Sequence, residues 1–308
     1  MREAVFGKAA NENRLPRRRA LVIFNPTAGR RNRAKLAQVV EVLGAEGTAV
    51  TVRETQAAGD ARRIAGEVSC RDTDVVIAAG GDGTLNEVVN GRSEEGPPVG
   101  LIPLGTANVA ALELGLGQSS SAIARAIGYG PVRPLWCGEI AGRKFLLMAG
   151  VGFDAHVVGG VSMPIKRLIG KGAYVAESGV QLWRYGFPAF EADIDGQRIT
   201  VASMVISNAR YYGGPFTCAA AASFTEPGFH VGLFQHPGRL HVLRYALALT
   251  RGRLEESRGY RVVKAQRVIL LGPAGEPVQI DGEIGPSLPV EVTVSSTAIP
   301  FVHPLPEQ

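Results

Sequence analysis

One stretch of the sequence combines three glycines with an aspartate, between a strand pattern and a helix pattern. Residues 75–79 are small or β-branched, which indicates a buried parallel strand, and apolar residues at helical spacing begin at Leu85. Glycines at such a turn allow positive φ and leave no Cβ in the way of a ligand. Backbone N–H groups at a helix N-terminus bind anions. The stretch therefore predicts a phosphate cradle with one carboxylate, Asp82, inside it, which suits phosphoryl transfer.

Two familiar phosphate motifs do not fit this turn. No Lys-Ser or Lys-Thr pair follows the glycines, as a P-loop requires, and the spacing is not G-x-G-x-x-G. The alternative is a tight turn in which glycine only satisfies backbone geometry.

A second candidate anion site follows the strand at residues 20–24. There a Gly-containing turn, 25–29, leads into a helix that begins with Arg30, Arg31, Arg33 and Lys35. Its alternative is an ordinary solvated helix start.

The elements that must position these turns alternate between strands and helices. Strand patterns at residues 20–24, 49–53, 75–79 and 98–104 are separated by helical patterns, which predicts an α/β unit with a parallel sheet. Ligands bind beyond the carboxyl ends of such strands. The polar residues at these ends should therefore share one crevice; they are Asn25, Thr55, Asp82 and Thr106.

From about residue 134 the pattern changes to short strands separated by Gly, Pro, Asn and Asp. This predicts an antiparallel β-sandwich or barrel with two helical segments, at 165–185 and 240–250. The strand-like runs are 144–148, 191–194, 200–206, 231–234, 267–271, 278–280 and 290–294. The expected organisation is a basic arm (1–18), an α/β domain (19–135), a β-rich domain (136–295) and a tail (296–308) that returns to the first domain.

Composition narrows the function classes. The 308 residues are 45% hydrophobic and 20% charged, as in a well-buried globular protein, and the net charge of +5 falls short of predicting nucleic-acid binding. Three scattered cysteines (Cys70, Cys137 and Cys218) indicate a reducing compartment and predict neither disulfides nor zinc. No signal peptide or membrane-spanning run is recognised, so we expect a cytoplasmic protein.

Six segments together resemble a kinase family. Asn25–Gly29, Gly80–Asn90 and Pro103–Asn108 are similar, in order and spacing, to the diacylglycerol kinase catalytic domain. Gly152–Ala155, Asn208–Gly214 and Asp281–Glu283 resemble the C-terminal part of the bacterial lipid kinases. Sphingosine kinases and, more distantly, NAD kinases share the glycine motif. The resemblance runs from about residue 20 to the end of the chain.

The resemblance implies a fold and a reaction. The fold would be an α/β nucleotide-binding domain and an antiparallel β-sandwich lipid domain with the active site in the cleft between them. The reaction would be transfer of the γ-phosphoryl group of ATP, with Mg²⁺, to a hydroxyl of diacylglycerol or a similar lipid. The implied nucleotide contacts are Asn25, Thr55, Gly80, Gly81, Asp82, Gly83, Thr84, Leu85, Asn86 and Thr106. The implied proton acceptor is Glu283, Asp281 or Asp82, and the sequence leaves all three open.

The chain departs from the family pattern at two places. Val109 stands where the family usually has an aspartate. Bacterial members hold a structural Mg²⁺ with an aspartate in a segment that reads Thr225–Val231 in this chain. Glu226 and the carbonyls of Phe229 and Val231 could replace that oxygen site. The alternative functions are a soluble-substrate kinase resembling NAD kinase and a non-catalytic nucleotide-binding regulator.

A lipid kinase also needs a membrane surface. Two helical segments mix basic and apolar residues and are the expected contacts with an anionic bilayer. One is 165–171, which leads towards Trp183; the other surrounds residues 240–249 with Arg239, Arg244, Arg251 and Arg253. The alternative is that both helices simply cover the β-rich domain. A homodimer is left open as the assembly.

Overall fold

The computed structural model describes residues 19–28, 30–160 and 171–306. The basic arm expected at 1–18 lies outside them, as do residues 161–170. The chain divides into two compact units. Unit 1 contains residues 19–105, 114–135 and the C-terminal segment from 299, and unit 2 contains 106–113 and 136–298. Residues 106–113 thus group with unit 2, although the sequence placed them in the first domain.

Unit 1 contains a six-stranded sheet in which four neighbouring strand pairs are parallel. Its strands, numbered along the whole chain, are β1 (Arg19–Phe24), β2 (Ala49–Glu54), β3 (Val75–Gly80), β4 (Val99–Pro103), β5 (Val132–Leu135) and β20 (Ile299–Val302). They lie in the order β2-β1-β3-β4-β20-β5. Strand β20 pairs parallel with β4 and antiparallel with β5, so β5 joins the sheet through β20.

The helices of unit 1 bury their apolar faces against this sheet. They are α1 (Arg30–Ala45), α2 (Asp60–Gly66), α3 (Asp82–Gly91) and α5 (Ser120–Tyr129). Leu36, Val39 and Leu43 of α1 repeat at helical spacing and are buried in a core with Ile77 and Ile102. The strand order reverses between β1 and β3, and in such sheets this switch point is where ligands bind.

Unit 2 is dominated by two antiparallel six-stranded sheets, in the orders β10-β9-β16-β19-β6-β7 and β15-β14-β11-β8-β17-β18, with a small β12-β13 ribbon. The strands are β6 (Gly138–Ile140), β7 (Arg143–Phe145), β8 (Met148–Val151), β9 (Phe190–Ile194), β10 (Gln197–Val201), β11 (Ser203–Ser207), β12 (Tyr211–Tyr212), β13 (Phe216–Thr217), β14 (Phe229–Phe234), β15 (Tyr260–Ala265), β16 (Arg267–Gly272), β17 (Pro277–Ile280), β18 (Glu283–Ser287) and β19 (Val290–Val294).

Apolar side chains from both sheets of unit 2 form a single core. Phe145, Phe190 and Phe229 are fully buried in it, and the rings of Phe145 and Phe229 stack with centroids 5.8 Å apart. Among the described residues of this unit, the α-helices are α4 (Val109–Glu113), α6 (Phe153–Gly160), α7 (Lys171–Arg184) and α8 (Arg239–Thr250). A parallel α/β unit and an antiparallel sandwich are the fold class that the sequence predicts, and this prediction is confirmed.

Several elements differ from the sequence prediction in detail. The run 144–148 is divided between β7 and β8, and the run 200–206 between β10 and β11. Strands β6, β15 and β18 and helix α6 were not predicted. Among the described residues, no helix has the length and hydropathy that crossing a bilayer requires.

Candidate active site

The glycine turn joins β3 to α3 at the switch point of the unit 1 sheet. Gly81 precedes the first residue of α3, Asp82, which is half-buried in the first turn. The first N–H groups of a helix have no partner inside the helix, and its N-terminus carries a partial positive charge. The turn thus has the donors and the field that an anion site requires.

The glycines are needed for space rather than for positive φ, which corrects the expectation from sequence. None of the three has a positive φ. A Cβ on Gly80 would overlap the side chain of Thr84, and one on Gly81 would lie 3.3 Å from Cα of Gly105. A Cβ on Gly83 would meet no protein atom within 4 Å. Gly80 and Gly81 therefore allow close packing of the turn, and Gly83 leaves its outer side open.

Asn25, at the end of the neighbouring strand β1, contacts this turn. Its Nδ2 donates to Oγ1 of Thr84 at 3.3 Å, while its Oδ1 accepts from the N–H (3.1 Å) and Oγ1 (2.7 Å) of Thr27. Thr55 follows β2, and its N–H donates to the carbonyl of Phe24 at 2.9 Å. The structure therefore places Asn25 and Thr55 at the same sheet edge as the glycine turn.

Other residues of the motif are structural. Glu87 accepts hydrogen bonds from the N–H groups of Gly59 (3.0 Å) and Ala61 (3.1 Å), so it caps the start of α2. Asn86 is buried, and its carbonyl accepts from Nδ2 of Asn90 at 2.9 Å. These contacts hold α3, and with it the turn, in place.

The basic start of α1 is partly engaged within unit 1. Arg33 forms a two-pronged ion pair with Glu54 (2.7 and 3.0 Å), and its guanidinium lies 5.2 Å from the centroid of the Phe24 ring. Nζ of Lys35 donates to the carbonyl of Pro103 at 3.3 Å. Burial lowers the pKa of this lysine. The side chains of Arg30 and Arg31 lie outside the described part of the structure. The contacts of Arg33 and Lys35 therefore fit the alternative interpretation, an ordinary helix start, better than an anion site.

Thr106 and Asn108 belong to unit 2. Thr106 is exposed, and Asn108 has a left-handed backbone with φ of 47° immediately before α4. Val109, which stands at the position of the family's usual aspartate, is buried. An apolar residue at that position is therefore used for packing.

The Asp281-Gly282 pair forms the two-residue turn between β17 and β18. Ile280 pairs with Glu283 across it, and φ is 49° at Asp281 and 81° at Gly282. Positive φ at both residues is the type I′ geometry that Asp-Gly favours in hairpins. Here glycine is required for its φ.

The carboxylate of Asp281 is hydrogen-bonded to backbone N–H groups of the same chain. It accepts hydrogen bonds from the N–H groups of Leu146 (2.8 Å), Leu147 (2.8 Å) and Met148 (3.0 Å). Its own N–H donates to the carbonyl of Met148 at 2.9 Å. A carboxylate with three backbone donors is well placed to fix a loop and poorly placed to collect a proton.

Glu283, two residues later, faces solvent. Its side chain is 58% exposed, and Oε2 accepts from Nη2 of Arg143 at 2.7 Å. Of the two acids in this triplet, Glu283 is the one that a second molecule can reach. Sequence reasoning missed its partner Arg143, which lies about 140 residues earlier and carries no motif.

Glu226, Phe229 and Val231 do not form a ready metal site. Glu226 is exposed in the turn before β14, and Phe229 and Val231 lie within that strand. Successive residues of a strand direct their C=O groups to opposite neighbouring strands. The carbonyl of Phe234 accepts from the N–H of Ala202, next to β11, and the N–H of Gln235 donates to the carbonyl of Gly259, next to β15. Residues 229 and 231 therefore direct their carbonyls to β15. These carbonyls belong to the sheet ladder, and the described residues contain no cluster of three His, Cys, Asp or Glu side chains suited to a metal.

Unit 2 contains a partly open apolar cavity of about 200 Å³, which was not predicted from the sequence. It lies beside strands β11 and β14 and is lined by residues of α6 and α8, mostly with apolar side chains. They include Phe153, Val205, Phe234, Val242 and Leu249. Its polar lining residues include Asp154 and Tyr212, and Tyr212 donates its hydroxyl hydrogen to Oδ1 of Asp154. Burial raises the pKa of Asp154.

Helix α8 has apolar residues on two faces. Val242, Tyr245 and Leu249 line the cavity, whereas Leu240 (81% exposed), Leu243 and Leu247 face outward. Trp183, near the end of α7, is 70% exposed.

Arg239 joins the two helices. Its guanidinium lies 4.6 Å from the Trp183 ring centroid and donates to the carbonyls of Leu182 (3.0 Å) and Trp183 (3.1 Å). Arg253, in contrast, is paired with Glu256. Of the predicted segment 165–171, residues 165–170 lie outside the described residues, as does the side chain of Lys171.

Comparison with known proteins gives consistent matches over both units. Residues 19–140 match the family model of the diacylglycerol kinase catalytic domain, and 148–303 match that of the YegS C-terminal NAD kinase beta sandwich-like domain. A diacylglycerol kinase from Bacillus subtilis is 31% identical over 280 residues, covering 89% of this chain and 92% of the relative. One from Staphylococcus carnosus is 28% identical over 282 residues, covering 89% and 91%.

The fold has a close counterpart among solved structures. A crystal structure of a diacylglycerol kinase from Bacillus anthracis superposes with a TM-score of 0.74 at 20% identity and covers 94% of this chain and 97% of that one. At this identity the likeness supports the fold alone.

Proposed function

This chain belongs to the family of diacylglycerol kinases and YegS-like lipid kinases, and on that premise we propose that it transfers the γ-phosphoryl group of ATP to a hydroxyl of diacylglycerol or a similar lipid. Membership in the family makes it a lipid kinase. The acceptor, the donor and the roles of individual residues are the proposal.

The observation that carries the proposal is the cavity in unit 2. Its lining is mainly apolar, and two of its polar residues, Asp154 and Tyr212, contact each other. Ligand pockets with this composition bind apolar groups and orient them with a few polar contacts. An acyl chain fits such a lining, whereas a dinucleotide acceptor would leave its own polar groups without partners. The cavity therefore favours a lipid acceptor over the soluble acceptor of a NAD kinase-like enzyme.

The phosphoryl donor is assigned to the glycine turn of unit 1. The N–H groups at the start of α3 would contact phosphate oxygens, and the open space at Gly83 allows their close approach. Asp82 is the carboxylate in this turn that would hold Mg²⁺. The metal, when bound, neutralises charge on the transferring phosphoryl group. Asn25 and Thr55 line the same sheet edge.

Glu283 is assigned as the proton acceptor for the lipid hydroxyl. It is exposed, whereas the carboxylate of Asp281 is engaged by three backbone donors. Asp281 would then position the turn that presents Glu283. The aspartate of the glycine turn, Asp82, remains the alternative base if Glu283 proves dispensable.

A labelled-ATP transfer assay tests the proposal directly. The acceptors are vesicle-borne diacylglycerol, phosphatidylglycerol and sphingosine, with soluble NAD alongside. We expect transfer to a vesicle-borne lipid. Transfer to NAD alone would refute the lipid assignment, and absence of transfer to every acceptor, with ATP still bound, would favour a nucleotide-binding regulator.

We further propose that the outward faces of α7 and α8 dock on an anionic bilayer. Their exposed apolar residues, Trp183, Leu240, Leu243 and Leu247, can enter the interface. Arg239, Arg244 and Arg251 add positive charge, as predicted from the sequence, whereas Arg253 is neutralised by Glu256. The inner face of α8 lines the cavity, so the docked helix would also be a wall of the acceptor site.

Sedimentation with vesicles of phosphatidylcholine and phosphatidylglycerol measures this docking. Replacing Arg239, Arg244 and Arg251 with glutamine should weaken binding by about two orders of magnitude, because each basic residue near the surface contributes roughly 1 kcal/mol. Binding by the wild type should fall as salt rises.

A charge-matched control removes three exposed arginines that lie outside α7 and α8: Arg125, Arg198 and Arg261. It should bind nearly as well as the wild type. Equal losses in the two triple variants would mean that net charge alone drives binding, and pelleting indifferent to salt and to both sets would place the docking surface elsewhere.

A further inference from the structure

Three segments of unit 2 meet at one buried point, and the proposed function assigns them no role in positioning Glu283. Asp154 lies in the first turn of α6, Tyr212 in β12 and Gln279 in β17. The Tyr212 hydroxyl donates to Oδ1 of Asp154, and the side-chain amide of Gln279 lies beside the same carboxyl group. Oε1 of Gln279 accepts from the N–H of Gly282 at 2.9 Å. The contacts thus run from Tyr212 to the turn before Glu283.

Gly150 makes this meeting possible. A Cβ at this position would overlap Oδ2 of Asp154 and lie 3.0 Å from Nε2 of Gln279. Only glycine leaves room for both side chains at that point of β8.

The burial of these groups indicates that their contacts matter. Gln279 is 1% exposed and Asp154 is 9% exposed, and burial raises the pKa of the Asp154 carboxyl group. Buried polar groups are costly unless they are hydrogen-bonded, so such groups restrict the positions of their partners. The partner at one end of this network is the Asp281-Gly282 turn, and the next residue is Glu283.

The loop that carries Tyr212 is itself anchored. Glu113, at the end of α4, accepts from the N–H (3.1 Å) and Nε (3.3 Å) of Arg210. Its side chain is 2% exposed, and the ion pair fixes the loop two residues before Tyr212. Tyr212 therefore reaches Asp154 from a fixed base.

We infer that Asp154, Tyr212 and Gln279 are positioning residues that hold the Asp281-Gly282 turn so that Glu283 faces the acceptor hydroxyl. Asp154 and Tyr212 also line the cavity, so a lipid bound there contacts the network that orients the base. The inference rests on the proposed function, since it assigns these residues a role through Glu283.

The decisive variant is Tyr212→Phe, compared in two backgrounds. In the wild type it removes the hydrogen bond to Asp154, and kcat for lipid phosphorylation should fall about tenfold, while KM for ATP and for lipid stays within about twofold. In the Glu283→Gln background, measured at high enzyme concentration, the same change should lower kcat no further, because a positioning residue has no effect once its base is absent.

Tyr211→Phe is the matched control. The centroid of the Tyr211 ring lies 5.7 Å from the guanidinium carbon of Arg210, and phenylalanine keeps this contact. The kcat of the Tyr211→Phe variant should therefore equal that of the wild type. Gln279→Met tests the other end of the network with a side chain of nearly the same volume as glutamine. Thermal unfolding of each variant checks that it is folded.

The outcomes separate the inference from the proposed function. A tenfold loss from Tyr212→Phe in both backgrounds, or a change confined to the KM for lipid, overturns the positioning role while leaving the kinase in place. No lipid phosphorylation by the wild type refutes the proposed function itself, and the role through Glu283 with it. The inference is supported if Tyr212→Phe and Gln279→Met both lower kcat in the wild type and neither lowers kcat further in the Glu283→Gln background.

Discussion

The glycine turn of unit 1 and the Asp281-Gly282 turn of unit 2 both combine glycine with an acidic residue, but they use them in opposite ways. The first leads into a helix, and its glycines provide space without positive φ. The second joins two antiparallel strands, and both of its residues have positive φ. A helix start leaves N–H groups for a ligand, whereas Asp281 binds the N–H groups of its own chain. In our proposal the N–H groups of the first turn contact phosphate, whereas the N–H groups of Asp281 and Gly282 in the second turn donate to Met148 and Gln279 of the same chain.

The largest expected effect is a loss of turnover, and it distinguishes the proposed role of Glu283 from that of Asp82. Glu283→Gln should lower kcat by about 10²–10⁴-fold, the usual contribution of a general base, with the Kd for ATP nearly unchanged. Asp82→Asn should weaken ATP binding as well as turnover, because Asp82 lies within the proposed phosphate site. Single-turnover kinetics and ATP titration measure the two quantities. A near-normal rate in Glu283→Gln would break the assignment and make Asp82 the candidate base.

The next effect concerns the structural use of Asp281. Asp281→Asn replaces one accepting oxygen with a donor that faces backbone N–H groups, and we expect a loss of about 3 kcal/mol in the free energy of unfolding. Turnover should fall with it, because Glu283 loses its support. Urea denaturation measures the loss. Wild-type stability together with abolished turnover would instead give Asp281 a direct role in the chemistry.

A smaller effect, of opposite sign at two glycines, tests the space argument. Gly80→Ala should destabilise the protein by about 2 kcal/mol, because its Cβ overlaps Thr84. Gly83→Ala lies in α3 with open space around its Cβ, and it should stabilise by up to about 1 kcal/mol while weakening ATP binding. Thermal unfolding and ATP titration of both variants decide. Equal destabilisation by the two substitutions would show that backbone conformation, not space, selects glycine here.

The smallest effect concerns a third turn with an acid and a glycine, Glu226-Pro227-Gly228. Its glycine has a φ of 121°, and the carbonyls expected to complete a metal site are directed into the sheet. Glu226→Ala should therefore change the stability by less than about 0.5 kcal/mol, as for an ordinary surface residue, with or without Mg²⁺. A melting temperature that depends on Mg²⁺ in the wild type and not in the variant would restore the metal site.

The sequence was a good guide wherever pattern and local chemistry coincide. Runs such as Val75–Ala79 predicted the parallel strands, because buried parallel strands are continuously apolar. Asp-Gly is likewise a strong local signal for a hairpin turn, and the turn at 281–282 has positive φ at both residues. The position of the glycine turn, between β3 and α3, also followed from local periodicity.

Features that depend on distant partners could not be predicted. Strand β18 contains Gly285 and Pro286, which read as a loop, and it is ordered by pairing with β17. Helix α6 has apolar residues and glycines on most of its surface, so no amphipathic period identified it. Asp154 meets Tyr212 and Gln279 only through the packing of three separate segments. The sequence flagged two of these segments as motifs without indicating that they touch.

Strand β20 has a consequence for biosynthesis. It fills the position between β4 and β5, although it is translated after all of unit 2. On the ribosome, β4 and β5 must therefore wait with unpaired edges while the whole sandwich emerges, and such edges are sites of misassembly. The sheet of unit 1, although its first strands are translated early, is therefore completed only after the strands of unit 2 have been made.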